Sequence, residues 1–222
     1  MRLVERPSPN HDARPGAVDM LILHYTGMPT GDAALERMCD PDAKVSAHYM
    51  IDEDGTVYHL VPEERRAWHA GVSFWAGEKN INGRSIGIEL VNPGHEWGYR
   101  RFPAAQIEAL IELGHGILAR HSIPPRRVLG HSDVAPDRKI DPGELFPWEM
   151  LAQNGIGLWP APGMLKADFA SALATFGYGI PPLVDISLEC VITAFQRHFR
   201  PARVDGVADA ECVAILAGLL AA

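Results

Sequence analysis

The chain has 222 residues, a formal net charge of -8, 47% hydrophobic and 22% charged residues, the make-up of an ordinary globular protein with room for one large domain or a medium domain plus a small one. The acidic balance argues against a nucleic-acid partner, because phosphate binding needs clustered Lys and Arg. No stretch approaches the ~20 apolar residues needed to cross a bilayer, so no membrane insertion is expected.

The first ten residues carry basic side chains with no apolar run behind them, and so read as neither a secretory signal nor a lipoprotein leader. A cytoplasmic location is expected, or a periplasmic one if the N-terminus has been trimmed. Cys39, Cys190 and Cys212 are scattered, with no Cys-x-x-Cys pair, and read as buried or incidental thiols of a reducing compartment. A Cys190–Cys212 pairing is the less supported alternative.

After a Pro-rich lead-in, residues 20–25 are the first expected strand and 32–38 a short helix. Residues 45–51 and 56–61 flank Asp52-Glu-Asp-Gly55, and Asp-Gly between two apolar runs signals a hairpin. Residues 62–84 lack periodicity and are read as a long functional loop. Residues 85–91 form another strand, on which Gly87, Glu89 and Val91 share a face by the period of two. From Pro103 to His121 the apolar positions follow helical spacing, with Pro suited to the first turn. Strands mixed with helices predict a layered α/β domain: a mixed central β-sheet flanked by helices.

Around residues 155–163 the composition turns to Gly, Pro and Trp, and three short helical patterns follow, at about 165–176, 188–199 and 208–220. The expected organisation is a catalytic domain over 1–155, a linker over 156–163 and a small all-α three-helix domain over 164–222.

The stretch from Val128 to Gly143 places His131, Lys139 and Asp141 in one segment, and its Pro, Gly and Asp content favours a chain that folds back on itself. Catalytic zinc typically takes three ligands from His, Asp or Glu and leaves a fourth position open. His24, where an apolar run ends in polar residues and Gly27, is the third ligand expected beside His131 and Asp141. Taken alone, His24 would read as a buried histidine satisfied by a backbone carbonyl; the availability of His131 and Asp141 turns the reading to a ligand. Glu89 sits inside an apolar strand, where lost hydration raises a carboxyl pKa and suits it to general-base work; a strand glutamate paired with a basic neighbour is the alternative. A serine triad at Ser132 and Asp133 is discounted, because no glycine-flanked nucleophile elbow is present. His11, His59, His95, His115, His121 and His198 have no motif around them and read as solvated or local.

Leu23-His-Tyr-Thr26, Ser46-Ala-His-Tyr49, Arg66-Ala-Trp-His-Ala-Gly71, Ser85-Ile-Gly-Ile-Glu-Leu90, and Gly130-His-Ser-Asp133 with Lys139-Ile-Asp-Pro-Gly143 occur in this order. Together they resemble the zinc-dependent N-acetylmuramoyl-L-alanine amidases, the family that includes peptidoglycan recognition proteins and the amidases of muropeptide recycling. The resemblance covers roughly residues 18–150. It implies Zn2+ as cofactor, held by His24, His131 and Asp141, Glu89 as the catalytic acid and base, and Lys139 stabilising the oxyanion. A solvated surface lysine is the plainer reading of Lys139.

His69 and Trp68 are expected to touch substrate, with packing as the alternative for Trp68; His48 either faces the site or makes a structural hydrogen bond. Val191-Ile-Thr-Ala-Phe-Gln-Arg-His-Phe199, followed by Val204-Asp-Gly206, resembles the small three-helix peptidoglycan-binding module attached to wall hydrolases. Such a module points to polymeric peptidoglycan, whereas the missing leader points to anhydro-muropeptides recycled in the cell. A muropeptide-binding protein without activity, and a metal peptidase acting within the stem peptide, are the competing functions.

Overall fold

Met20–Tyr25, apolar toward both sides for most of its length, forms a strand buried on both faces, and the rest of the chain is laid down around it. The structure is a computed structural model that describes residues 1–164 and 167–222. In chain order the strands are β1 (Arg2–Glu5), β2 (His11–Ala13), β3 (Met20–Tyr25), β4 (Tyr49–Ile51), β5 (Thr56–His59), β6 (Arg65–Ala67), β7 (Ser85–Leu90) and β8 (Val128–Gly130). The helices are α1 (Gly31–Cys39), α2 (Ile81–Arg84), α3 (Gly94–Trp97), α4 (Ala104–Arg120), α5 (His131–Val134), α6 (Trp148–Gln153), α7 (Phe169–Phe176), α8 (Leu188–Phe199) and α9 (Ala210–Ala221).

Among the described residues a six-stranded mixed sheet runs β1-β5-β4-β7-β3-β8, and β2 pairs with β6 in a separate ribbon. β4, β7, β3 and β8 are mutually parallel, while β4 and β5 form the antiparallel hairpin expected around Asp52–Gly55. The α/β architecture is therefore as read from the sequence.

Three parts differ from that reading. The Pro-rich lead-in contains β1 and β2, strands of three or four residues whose partners β5 and β6 are some 50 positions away, too short for a periodic signal. The loop expected over 62–84 carries β6 and α2. The segment around His131 is not all loop: β8 ends at Gly130 and α5 begins at His131.

One face of the sheet packs Leu21, Leu23, Ile86, Ile88 and Val128 against Ile107, Leu110, Leu113 and Ile117 of α4. Each such side chain contributes about 1.5–3 kcal/mol when fully buried. Gln106 of α4 is buried with them, and its amide donates to the carbonyls of Ile51 and Val91 at the strand ends.

On the other face Met20, Ile22 and Leu129 share one core with Trp75, Leu173, Phe176, Val191, Phe195, Phe199, Leu216 and Leu219, so α7, α8 and α9 belong to the core on that side of the sheet. Asp168, Ser187 and Asp209 each cap one of these helices by accepting a main-chain N–H from its first turn. The first of them was expected from residue 165; Leu165 lies outside the described residues, and the helix begins at Phe169. In the connection, Ile156 belongs to the α4-side core and Trp159 packs against both cores. Among the described residues no helix is long and apolar enough to cross a membrane.

Candidate metal centre

The parallel register puts position 24 of β3 beside Glu89 of β7, and Leu23 beside Gly130 of β8. One step further along, His24, Glu89 and His131 stand in a row at the carboxyl ends of three neighbouring strands, the end at which open α/β sheets carry their ligands. The chain then runs through the turn after α5 and returns, where the Ser132 N–H donates to the Asp141 carbonyl at 2.9 Å. Tyr99 holds the returning segment by donating its hydroxyl to the Pro142 carbonyl at 2.8 Å and accepting from the Leu145 N–H at 2.9 Å. Gly143, at φ +84°, is required there: a Cβ would lie 2.3 Å from the Tyr99 hydroxyl oxygen.

These elements bring His24, His131 and Asp141 together, at 0%, 3% and 6% exposure. His24 Nδ1 is 2.9 Å from His131 Nδ1, and Asp141 Oδ2 is 3.1 Å from each. Two imidazole nitrogens and a carboxylate oxygen at mutual contact are a donor set suited to a divalent ion. A tetrahedral zinc with bonds of about 2.0–2.1 Å needs its ligand atoms about 3.3–3.4 Å apart, a few tenths of an ångström wider than this triangle.

The second nitrogens agree with that role. His24 Nε2 donates to His69 Nδ1 at 3.0 Å, His69 Nε2 donates to Ser85 Oγ at 3.1 Å, and Ser85 Oγ donates to the Ile81 carbonyl at 2.7 Å. His131 Nε2 donates to the Ala70 carbonyl at 3.1 Å. With this one set of tautomers every bond behind the ligands is satisfied and both Nδ1 lone pairs point into the triangle, the backing that metal-ligating histidines require.

Burial opposes ionisation of Asp141, but the imidazoles of His131 and His24 overcome it and hold the carboxyl well below the usual range. Burial, with the neighbouring His131 imidazole adding to it, lowers His24 to about 4, which keeps its ring neutral and able to ligate. Glu89 goes the other way: burial and then the Asp141 charge push it well above its ordinary value, with the Lys139 ammonium opposing. Glu89 Oε2 is sealed from solvent and has no hydrogen-bond partner among the described residues. Lys139 is half-buried, and its charge acts on both Glu89 and His24. A cavity of about 330 Å³, lined by Thr26, Met28, Arg37 and Glu89 among others, opens beside this carboxyl.

His69, expected to contact substrate, is 6% exposed and has both ring nitrogens engaged, one on His24 and one on Ser85. Its ring lies on Gly87, where a Cβ would come within 2.5 Å of His69 Cγ; a glycine inside a strand is the sequence signal for such a close approach. Trp68 is half-buried, its main chain bonded to Ser46 through the Ser46 N–H and the Ser46 hydroxyl. His48 is structural: its Nδ1 accepts the Gly87 N–H at 2.9 Å, and burial, with Arg14 alongside, lowers it to about 3.

Ser85 and Tyr99 escaped sequence reasoning, since nothing in their local pattern distinguishes them from packing residues. His198, read as solvated or local, is instead buried and donates to Asp133, a partner 65 positions away. The three cysteines are free thiols.

A mixed α/β sheet whose parallel strands end in a buried His-His-Asp triangle, beside a carboxyl with one oxygen unpartnered among the described residues, defines a candidate metal-dependent hydrolase. The family described as N-acetylmuramoyl-L-alanine amidase matches residues 14–144, and this chain belongs to it. It is 40% identical to the N-acetylmuramoyl-L-alanine amidase AmiD of Escherichia coli K12 over 91% of this chain and 82% of the relative. The solved complex of that E. coli amidase with the substrate anhydro-N-acetylmuramic acid-L-Ala-D-gamma-Glu-L-Lys superposes with a TM-score of 0.82, covering 95% of this chain and 92% of the other. AmpDh3 from Pseudomonas aeruginosa, solved with anhydromuramic pentapeptide, is 36% identical with a TM-score of 0.82 over 92% of both chains. The 1,6-anhydro-N-acetylmuramyl-L-alanine amidase AmpD of Enterobacter cloacae is 37% identical over 64% of this chain and 84% of its own length.

Proposed function

We propose that this chain is a zinc-dependent N-acetylmuramoyl-L-alanine amidase that hydrolyses the amide between the lactyl group of N-acetylmuramic acid and L-alanine in peptidoglycan fragments and anhydro-muropeptides. The observation that carries this is the His24–His131–Asp141 triangle closing beside Glu89 in a member of the amidase family. The ligands named for the E. coli and P. aeruginosa neighbours support the substrate class.

His24 Nδ1, His131 Nδ1 and Asp141 Oδ2 are the atoms that would hold the ion. When bound, zinc supplies Lewis-acid polarisation of a carbonyl and a water of pKa ~7. Glu89, whose side chain borders the cavity, takes a proton from the attacking water and returns it to the L-alanine nitrogen as the C–N bond breaks. The oxygen of water stays on the lactyl carbon as a carboxylate, and the peptide leaves with a free amine. Lys139 stabilises the negative charge that develops on the lactyl carbonyl oxygen, a role supported by its action on both Glu89 and His24. His69 keeps the His24 ring in place from behind, and Trp68 remains the proposed substrate contact.

Residues 1–155 are proposed as the catalytic unit, 156–163 as a packed connection, and 164–222 as a helical module that recognises cell-wall polymer. The free thiols at 39, 190 and 212 support a reducing, cytoplasmic setting.

Incubation with an anhydro-muropeptide followed by mass spectrometry tests the proposal: intact stem peptide with a free L-alanine amine is expected. Fragments cut within the stem would reveal a peptidase, and an unchanged mass a binding protein. Parallel assays on intact sacculi rank the two substrate forms.

A further inference from the structure

Asp133 lies two residues after His131, is 1% exposed, and is not part of the metal triangle. Its Oδ2 accepts the Gly130 N–H at 2.7 Å, closing the four-residue turn whose first helical residue is His131. Its remaining bonds come from the C-terminal segment, from Tyr178 just after α7 and from His198 in α8. The Tyr178 hydroxyl donates to Oδ1 at 2.5 Å, and His198 Nδ1 donates to Oδ2 at 2.7 Å. An isolated buried carboxylate is costly, and one that accepts three hydrogen bonds is fixed in place.

The donors are themselves fixed. The His198 ring is stacked between Trp148, at 3.7 Å between centroids, and Phe199, at 3.8 Å. Trp148 belongs to the α4-side core of the sheet, so the ring is gripped from both layers. Tyr178 packs edge-on against Trp75, 4.8 Å between centroids, and the main chain is tied nearby by Ala76 N–H to the Gly177 carbonyl at 2.7 Å. Downstream of His131, the Phe74 N–H bonds the Val134 carbonyl at 2.8 Å, which holds the other end of the same turn.

We infer that Tyr178 and His198 are positioning residues for the metal centre: through Asp133 the C-terminal helices set the turn that presents His131, so the 164–222 segment helps to build the site. This rests on His131 being a metal ligand and adds to the proposed function a dependence that a separate wall-anchoring module would not have. Asp133 acts on the imidazole only through the turn, because its contacts are to Gly130, Tyr178 and His198 and not to the ring itself.

The test uses the full chain. Zinc affinity is measured by competition with a chromogenic chelator, at a temperature where circular dichroism shows every variant folded, alongside kcat and KM. Tyr178→Phe removes only the hydroxyl, and His198→Ala removes the ring. His198→Asn keeps an amide donor near the place of Nδ1. Phe195→Leu, in the same helix and core but without a bond to Asp133, is the control for simple loss of stability.

Tyr178→Phe and His198→Ala are expected to weaken zinc binding about tenfold, the low end for residues that orient ligands indirectly. Their kcat should fall with KM little changed, His198→Asn should restore most of the affinity, and Phe195→Leu should lower the melting temperature with zinc affinity intact. Wild-type zinc affinity in both Tyr178→Phe and His198→Ala, or losses no greater than that of Phe195→Leu, would overturn the inference alone. Equal zinc binding by the wild type and His131→Ala would instead remove the metal-centre assignment, and this inference with it.

Discussion

His24 and Glu89 are register partners on the parallel strands β3 and β7, so the proposed ligand and the proposed base lie side by side on one face of the sheet. Adjacent parallel strands are about 4.8 Å apart. A single pairing register therefore sets the distance between the metal and the proton acceptor, and a slip by one residue would turn Glu89 to the apolar face occupied by Ile88 and Leu90.

Glu89→Gln keeps the shape of the side chain and removes its ability to accept a proton. Zinc should stay bound while kcat falls about 10²–10⁴-fold, the usual share of general acid–base catalysis. Because burial and Asp141 raise this carboxyl above its ordinary 4.5, and the ionised form is the one that takes the proton, wild-type kcat/KM should decline as pH falls through a value above 4.5. A pH–rate profile of the wild type with that acidic limb absent would exclude Glu89 as the base.

Removal of metal should abolish turnover, since the triangle by itself holds only two imidazoles and a carboxylate and supplies no Lewis acid. Dialysis against a chelator followed by stoichiometric zinc should take activity to zero and back. Asp141→Ala should prevent the recovery, read as the zinc content of the dialysed protein.

Gly87→Ala places a methyl 2.5 Å from His69 Cγ, so the strand or the ring, held by its bonds to His24 and Ser85, must shift. Overpacking of this kind costs about 1–3 kcal/mol, measurable by denaturant unfolding. His69→Ala gives the complementary reading, with zinc affinity expected to drop by about 10–100-fold as the His24 ring loses its acceptor. If His69→Ala instead raises KM and leaves zinc affinity alone, His69 is a substrate contact.

Glu63 supplies a pH dependence remote from the metal. Burial opposes its ionisation, yet hydrogen bonds from Arg120, His121 and Tyr49 lower it from 4.5 to about 2. Its folded-state pKa is depressed, so its contribution is present above 4.5 and is lost as pH falls toward 2. After allowance for solvent screening at a partly exposed site this contribution is about 1–2 kcal/mol. Glu63→Gln should lower stability by that amount at neutral pH and flatten the stability curve between those two values, as followed by urea titrations across the range.

The strands at 20–25 and 85–90, the hairpin at Asp52–Gly55 and the long helix after Pro103 were legible because each buries a face whose period appears in consecutive residues. β1, β2 and β6 were not, because strands of three or four residues owe their existence to a distant partner. Of the site, the residues forming the triangle and Glu89 could be named from their motifs. His69 was named for another task, since the sequence shows that a histidine follows Trp68 but not that its ring rests on Gly87 with both nitrogens occupied.

By itself the sequence determined which side chains were available for hydrolytic chemistry and which segments would form the layers, since these depend on residue type and local period. Only the tertiary structure decided that the C-terminal helices share a core with the sheet, and that Tyr178 and His198 reach Asp133 from 45 and 65 positions away. Contacts across such separations follow from how the layers stack, and no local pattern records where a packed helix will set its polar side chains.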